Sequence, residues 1–397
     1  MLLSRRASPA VPEAPSPPAA PAVPVPDWSG GGDLGTVVAE LGRRPPLVSF
    51  AACRDLRDRL AEGATGGGLV LQAGDCAELF AEVSPARVGR KVAQLAELAA
   101  ILAGASGPAG VVVVGRLAGQ FAKPRSHPTE VTPDGTPVPI YMGDAVNGTA
   151  ATPHARTPRA ERLLLAYDKS AEVLRHLSAA RAPVFTSHEA LLMPYEEPLV
   201  RAAPGGLYGS SGHLLWVGER TRRPDGPQVA LAARVANAVA VKLGPSAGPA
   251  DVAALVEALD PGREPGRLAF VARLGAGRVT GELPWLLRAA IDRGARPLWW
   301  CDPMHGNTIR HDGYKVRVVD HVIAEARAFV RVARRHGVRP AGLHLEITPD
   351  DVTECLDHAE RPLPAIDPAR YRTGCDPRLN PEQARRVVTA FAEELTR

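Results

Sequence analysis

The chain of 397 residues has no long apolar run, and its most apolar stretch, Val92 to Leu102, carries Gln94 and Glu97 and breaks at Gly104. A membrane span needs about 18 or more uninterrupted apolar residues, so none is expected. Charge of one sign is also missing: 47 Lys+Arg stand against 43 Asp+Glu, a net of +4, which excludes a protein that coats nucleic acid. The five cysteines, Cys53, Cys76, Cys301, Cys355 and Cys375, are too few and too scattered for a disulfide scaffold. Residues 1–27 have Arg5 and Arg6 but then eight prolines from Pro9 to Pro26 and no compact apolar segment, so they read as a disordered Pro/Ala tail rather than a signal peptide. A Walker-type phosphate loop is absent, and the run Gly66 to Gly68 precedes an apolar segment instead of joining strand to helix. A cytoplasmic enzyme is the class these absences leave, because 45% hydrophobic residues suffice for a large core.

What is present is alternation. Eight short apolar, β-branched runs occur at 69–72, 111–114, 183–186, 213–217, 238–241, 268–272, 297–300 and 342–346. Continuous apolar runs mark strands buried on both faces of a parallel sheet. Amphipathic stretches at 86–102, 159–180, 250–259, 283–293 and 320–336 are long enough to be crossover helices. The pattern predicts an α/β fold, a (β/α)8 TIM barrel over 28–397, with an open doubly wound sheet or two domains as the alternatives. Each run ends in polar chemistry: Asp75 and Cys76, Arg116, Ser187 to Glu189, Glu219 and Arg220, Lys242, Arg273, Asp302 and His305, and Glu346. In a barrel these carboxyl ends meet at one mouth, where active sites form.

Two constellations carry chemistry. Cys76, His305, Glu346 and Asp376 offer a thiolate, an imidazole and two carboxylates, donors suited to Mn, Fe, Co or Zn. Singly each has an ordinary structural explanation, a buried thiol, a loop cap or a turn starter; strand-end placement is what groups them. His344, two residues before Glu346, reads equally as a supporting partner or a core histidine. The second set is cationic: Arg116, Lys123, Arg125, Arg220, Lys242, Arg273, and Lys315 with Arg317. Most of these cations abut strand ends, so they are expected to receive phosphate and carboxylate groups. The residues alone therefore predict a metal-assisted enzyme acting on phosphorylated, carboxylated small molecules.

The ordered motifs QAGDCAE, GRLAGQFAKPRS, TSHEALLMPYE, WVGERTR, VKLGP, CDPMHGNT, HLEIT with DVTEC, and CDPRLN extend the reading. From about Asp27 to the C-terminus the chain resembles the class II (plant-type) 3-deoxy-D-arabino-heptulosonate 7-phosphate (DAHP) synthases, with a short N-terminus like the forms associated with secondary metabolism. The resemblance implies a TIM barrel, a manganese or cobalt ion, and condensation of phosphoenolpyruvate with erythrose 4-phosphate, the opening step of the shikimate pathway. It implies Cys76, His305, Glu346 and Asp376 as metal ligands. Arg116, Trp216, Glu219, Arg220, Lys242 and Arg273 would surround phosphoenolpyruvate, with Lys242, Glu219 and His305 as the catalytic groups. Lys123, Arg125, Ser126 and Lys315 would face the aldehyde phosphate.

A homo-oligomer, dimeric or larger, is implied as well. Departures from the family pattern fall at Val316, Gln228, Ala230, Trp300, Asn237-Ala238 and Leu356 to His358. They leave room for another acceptor, such as an amino or imino erythrose 4-phosphate, or for a noncatalytic homologue that partners a chorismate mutase. Cys76 and Cys375 are expected close enough for oxidation to join them and eject the metal.

Overall fold

Eight parallel strands close on themselves: β1 (Leu69–Gly74), β2 (Val111–Arg116), β3 (Phe185–Glu189), β4 (Leu214–Val217), β5 (Ala238–Leu243), β6 (Leu268–Ala272), β7 (Leu298–Cys301) and β8 (Pro340–Glu346). Each pairs with its successor, and β8 returns to β1 with Val70 beside Gly342 and Gly74 beside Glu346. The computed structural model describes residues 25–132, 135–360 and 362–397, so the tail expected at 1–27 lies outside the described residues as far as residue 24. The barrel expected from the sequence is therefore present. Its third strand begins two residues later than the apolar run at 183–186 predicts, which puts Ser187, His188 and Glu189 inside the strand rather than after it.

Alternation along each strand explains why apolar runs end in chemistry. On β1 and β5 the outward side chains Leu69, Leu71, Ala73, Val239, Val241 and Leu243 pack in the main core beneath the helices. The inward ones at the foot of the barrel, among them Val70, Val112, Leu214, Ala238, Ala269, Leu298 and Ala341, form a second, inner apolar cluster. Higher on the same inward faces stand Gln72, Arg116, Ser187, Lys242, His344 and Glu346, all buried. Trp216 and Trp300 fill the middle of the barrel between these two zones.

Two helices precede β1 and escape the apolar-run reading: α1 (Leu34–Arg43) and α2 (Phe50–Gly66). The Ser49 hydroxyl caps α2 by accepting the amide of Ala52, and Gly67 ends it at φ +76°. Leu56 and Leu60 of α2 belong to the inner cluster, so this helix plugs the foot of the barrel. The remaining helices of eight residues or more lie after the strands: α3 (Pro85–Ala103), α4 (Glu161–Ala179), α5 (Pro227–Arg234), α6 (Pro249–Leu259), α7 (Val279–Asp292), α8 (Val319–Arg335) and α9 (Pro381–Thr396). Between β7 and α8 a hairpin of Thr308–His311 and Tyr314–Val318 brings Lys315 and Arg317 to the mouth, where its second strand pairs with Cys355–Leu356. No helix among the described residues is long and apolar enough to cross a membrane.

Candidate active site

The mouth is built by the residues that leave the strands. After β1 the chain bends at Gly74, φ +153°, where a Cβ would lie 2.7 Å from the Arg116 carbonyl. That close passage delivers Cys76 to Glu346 at the end of β8 and to Asp376 in the loop before α9. One donor atom from each of these three lies within 4.8 Å of the other two. His305, in the turn after β7, places Nε2 3.2 Å from Glu346 Oε1. Its Nδ1 faces Asp302 Oδ2 at 2.7 Å, an acceptor that fixes the tautomer and leaves the Nε2 lone pair toward the group. Burial lowers the His305 pKa, against the pull of Asp302 and Glu346.

An ammonium stands in the middle of these donors. Lys123 Nζ is 2.6 Å from Cys76 Sγ, 2.8 Å from Glu346 Oε1 and 2.7 Å from Asp376 Oδ2. Burial alone would lower the Lys123 pKa and raise those of the two carboxylates. Mutual attraction reverses each: Lys123 is held well above its ordinary value, while Glu346, facing His305, Lys123 and Arg317, and Asp376, facing Lys123, are held well below theirs. Two carboxylates, a thiol and an imidazole converging where positive charge is favoured make a donor set that fits a divalent transition ion.

Beside this group opens a cavity of about 250 Å³. Of the residues predicted for the site, Lys123, Ser126, Glu219, Arg220, Lys242, Arg273, His305, Lys315 and Asp376 line it. Glu189, Gly218 and Thr308 line it too, and sequence motifs assign them no role. Larger cavities of about 440 and 720 Å³ lie at the opposite, amino-terminal end of the barrel, far from these groups. The cations of the smaller cavity are under-neutralised. The Arg220 pKa is lowered by burial and then by the neighbouring Arg273, whose Nε finds no hydrogen-bond partner among the described residues. Lys242 is lowered to about 8 by burial, although Asp302 Oδ2 accepts from it at 3.0 Å. Cations gathered in one cavity, with Arg220 and Arg273 raising each other's cost, suit an anion. Glu219, by contrast, spends both carboxylate oxygens on its own loop: Oε1 accepts from Ser246 Oγ, and Oε2 from the Gly244 amide and Arg222 Nε.

Other expected residues stand behind the cavity. The Arg116 guanidinium donates to the carbonyls of Asp75 at 2.9 Å and Cys76 at 3.1 Å and to Glu346 Oε1 at 3.0 Å, and it faces His344 Nε2. His344, its pKa pushed well down by burial and then by Lys242 and Arg116, donates from Nδ1 to Gln72 Oε1 at 2.6 Å; Gln72 Nε2 donates to Ser187 Oγ at 3.1 Å. His344 thus braces Arg116 against Gln72. Trp216 lies under Arg116 at 5.0 Å and Lys242 at 5.8 Å as a floor of π density. Arg125 points to Cys375 Sγ at 3.1 Å and does not line the cavity. Nor is Arg317 a free cation: it is fully buried, 2.7 Å from Glu346 Oε2.

The departures from the family pattern are not cavity-lining. Val316 alternates away from Lys315 into an apolar cluster with Leu356 and Ile366. Gln228, on α5, donates to the Leu191 carbonyl, and Ala230 is exposed on the same helix.

Cys76 and Cys375 share a hydrogen bond. That contact, with Arg125, brings Cys375 down to about 7, while burial and Cys375 push Cys76 up. Both are free thiols. Brief peroxide treatment is expected to form a Cys76–Cys375 disulfide, seen by mass spectrometry, with loss of metal binding that dithiothreitol restores. Metal affinity unchanged after quantitative disulfide formation would contradict it.

A (β/α)8 barrel whose carboxyl-terminal mouth gathers a donor group that could hold a metal ion beside a cavity lined by cations defines a class: a barrel enzyme with its site at that mouth. The comparisons narrow it. The model of the class-II DAHP synthetase family matches residues 16–183 and 178–392, and the chain belongs to that family. It is 39% identical to the phospho-2-dehydro-3-deoxyheptonate aldolase of Streptomyces coelicolor, covering 91% of this chain and 92% of that one. It is 41% identical to a probable phospho-2-dehydro-3-deoxyheptonate aldolase of Pseudomonas fluorescens, covering 92% and 93%. The structure of the phospho-2-dehydro-3-deoxyheptonate aldolase of Francisella tularensis superposes with a TM-score of 0.54 at 13% identity, over 91% of this chain and 96% of that one, which speaks for the fold alone.

Proposed function

We propose that the protein condenses phosphoenolpyruvate with erythrose 4-phosphate to give DAHP and phosphate, using Mn or Co held by Cys76, His305, Glu346 and Asp376. The observation that carries this reading is the adjacency of the donor group to the cavity-lining cations Arg220, Arg273 and Lys242. A divalent ion bound there supplies Lewis acidity toward the aldehyde oxygen. Arg220, Arg273 and Lys242 hold the phosphate and carboxylate of phosphoenolpyruvate, with Trp216 beneath them. Lys315 and Ser126, at the rim, receive the second phosphate. Two polyanions are thereby brought within reaction distance despite their repulsion, so that C3 of the enol attacks the aldehyde carbon. The ordinary acceptor is favoured over an altered one because Val316, Gln228 and Ala230 do not line the cavity.

Purified protein with Mn²⁺ and both substrates should release phosphate as the enol absorbance falls. Absence of turnover with every divalent metal tried overturns the proposal, and a panel of acceptor aldehydes tests the acceptor.

A pH dependence follows from Lys242. In the free enzyme it loses its proton as pH rises through about 8, and with it the charge that receives phosphoenolpyruvate. The value of kcat/KM for phosphoenolpyruvate is expected to fall above pH 8, whereas kcat, read with the anion bound and the ammonium thereby stabilised, holds to higher pH. Parallel pH profiles of the two parameters would contradict the assignment.

A further inference from the structure

The buried face of α8 carries a carboxyl that the chemistry above does not use. Glu325 is fully buried, the other buried residues of that helix are apolar, and it lies outside the cavity. Its Oε1 accepts the amides of Leu274 at 2.9 Å and Gly275 at 2.8 Å, the two residues that follow Arg273. Its Oε2 accepts from Asn307 Nδ2 at 2.6 Å, two residues past His305. Asn307 extends the link in both directions: its Oδ1 accepts the Ala276 amide at 3.0 Å, and its Nδ2 also donates to the Pro303 carbonyl at 2.8 Å. One carboxyl is thereby bonded to the loop after β6 and to the loop after β7. The two loops also touch through their backbones, since an added Cβ at Gly306 would lie 2.7 Å from the Leu274 carbonyl carbon.

We infer that Glu325 is a positioning residue that ties the two halves of the site together, holding Arg273 for the anion and His305 for the metal in one fixed arrangement. The inference rests on the roles proposed above for those two side chains. Asp302 fixes the His305 turn from inside the barrel, accepting the His305 amide at 3.2 Å, and the clasp from α8 fixes it from outside. Arg273 depends on the clasp more. Its Nε finds no hydrogen-bond partner among the described residues, so its placement comes from the backbone that Glu325 anchors.

The three groups bonded to the carboxyl are all donors, so its ionised form is the one that completes them. Burial raises the Glu325 pKa to about 8 against the Gly275 amide, with Asp302 adding to the rise. An apolar side chain here would avoid that cost but leave the Leu274 and Gly275 amides bare.

The test is Glu325→Gln. Its Oε1 can stay on the two amides, but its Nε2 then meets Asn307 Nδ2, donor against donor, and turning Asn307 over only moves the clash to the Ala276 amide. Two titrations at pH 8.5, where the parent carboxyl is ionised, read the two halves separately: Co²⁺ alone by visible absorption, and phosphoenolpyruvate alone by calorimetry. Both dissociation constants are expected to rise roughly tenfold, although Glu325 touches neither ligand. Adding Asn307→Asp puts an acceptor opposite the new amide and should restore most of both affinities. Asn307→Ala, which leaves Glu325 its two amides, should give the same double loss if the Gln variant folds poorly. Affinities that stay within about twofold of the parent, a loss confined to one ligand, or a double loss that Asn307→Asp does not repair overturns the tie and leaves the reaction standing. A parent that binds neither Co²⁺ nor phosphoenolpyruvate overturns the proposed reaction and the tie together.

Discussion

Glu346→Ala will destabilise the protein far more than Asp376→Asn, although both remove one expected metal ligand. Glu346 is fully buried and faces Arg116, Lys123, Arg317 and His305. Removing it leaves buried cations without their counter-charge, a loss of about 3–5 kcal/mol for a broken buried pair. Asp376 sits at the cavity edge with Lys123 and Lys315 on separate oxygens; its amide variant keeps one acceptor, Lys123 retains Glu346, and Lys315 is exposed enough to turn to solvent. Urea unfolding should show the first variant near the limit of folding and the second close to the parent, while metal titration shows weakened binding in both. Equal stability losses would mean that the charges around Glu346 are not what fixes the mouth.

The opposite trade is expected at Arg273. Arg273→Ala should lower kcat/KM for phosphoenolpyruvate by roughly 10²-fold, about 3 kcal/mol for a desolvated charge pair with the substrate. Its melting temperature should hold or rise, because the guanidinium depresses the neighbouring Arg220 and its own Nε is unsatisfied. Arg220→Ala should follow the same pattern, and the double variant should cost less than the sum of the two if both grip one phosphate. Kinetics and thermal melts on the three proteins decide it; an unchanged KM in either single variant removes that arginine from the substrate.

The barrel was legible because its strands are apolar on both faces, and the site because each run stops where the inward parity turns polar. What escaped follows from the same physics. Inside a strand that carries Thr186, Ser187 and His188, polarity does not signal the end, so the apolar run places β3 early and Glu189 beyond it. Helix α2 was missed because its inner face is only Cys53, Leu56, Leu60 and Gly63, too thin a stripe to stand out beside its charges. The cations were found as a set, but sequence cannot tell a free one from a counter-ion: Arg317 and Arg116 neutralise or brace Glu346, whereas Arg220 and Arg273 face each other. Val316 drew suspicion by its place between Lys315 and Arg317, and strand alternation turns it the other way.

The plug formed by Leu56 and Leu60 has a consequence for traffic. With the foot of the barrel sealed, everything that reacts shares one doorway at the rim. Whatever occupies the floor above Trp216 goes in first and comes out last, and a molecule parked against Lys315 bars the route behind it. Product and inhibitor studies should therefore reveal a compulsory sequence of arrival, set by depth and independent of relative affinity.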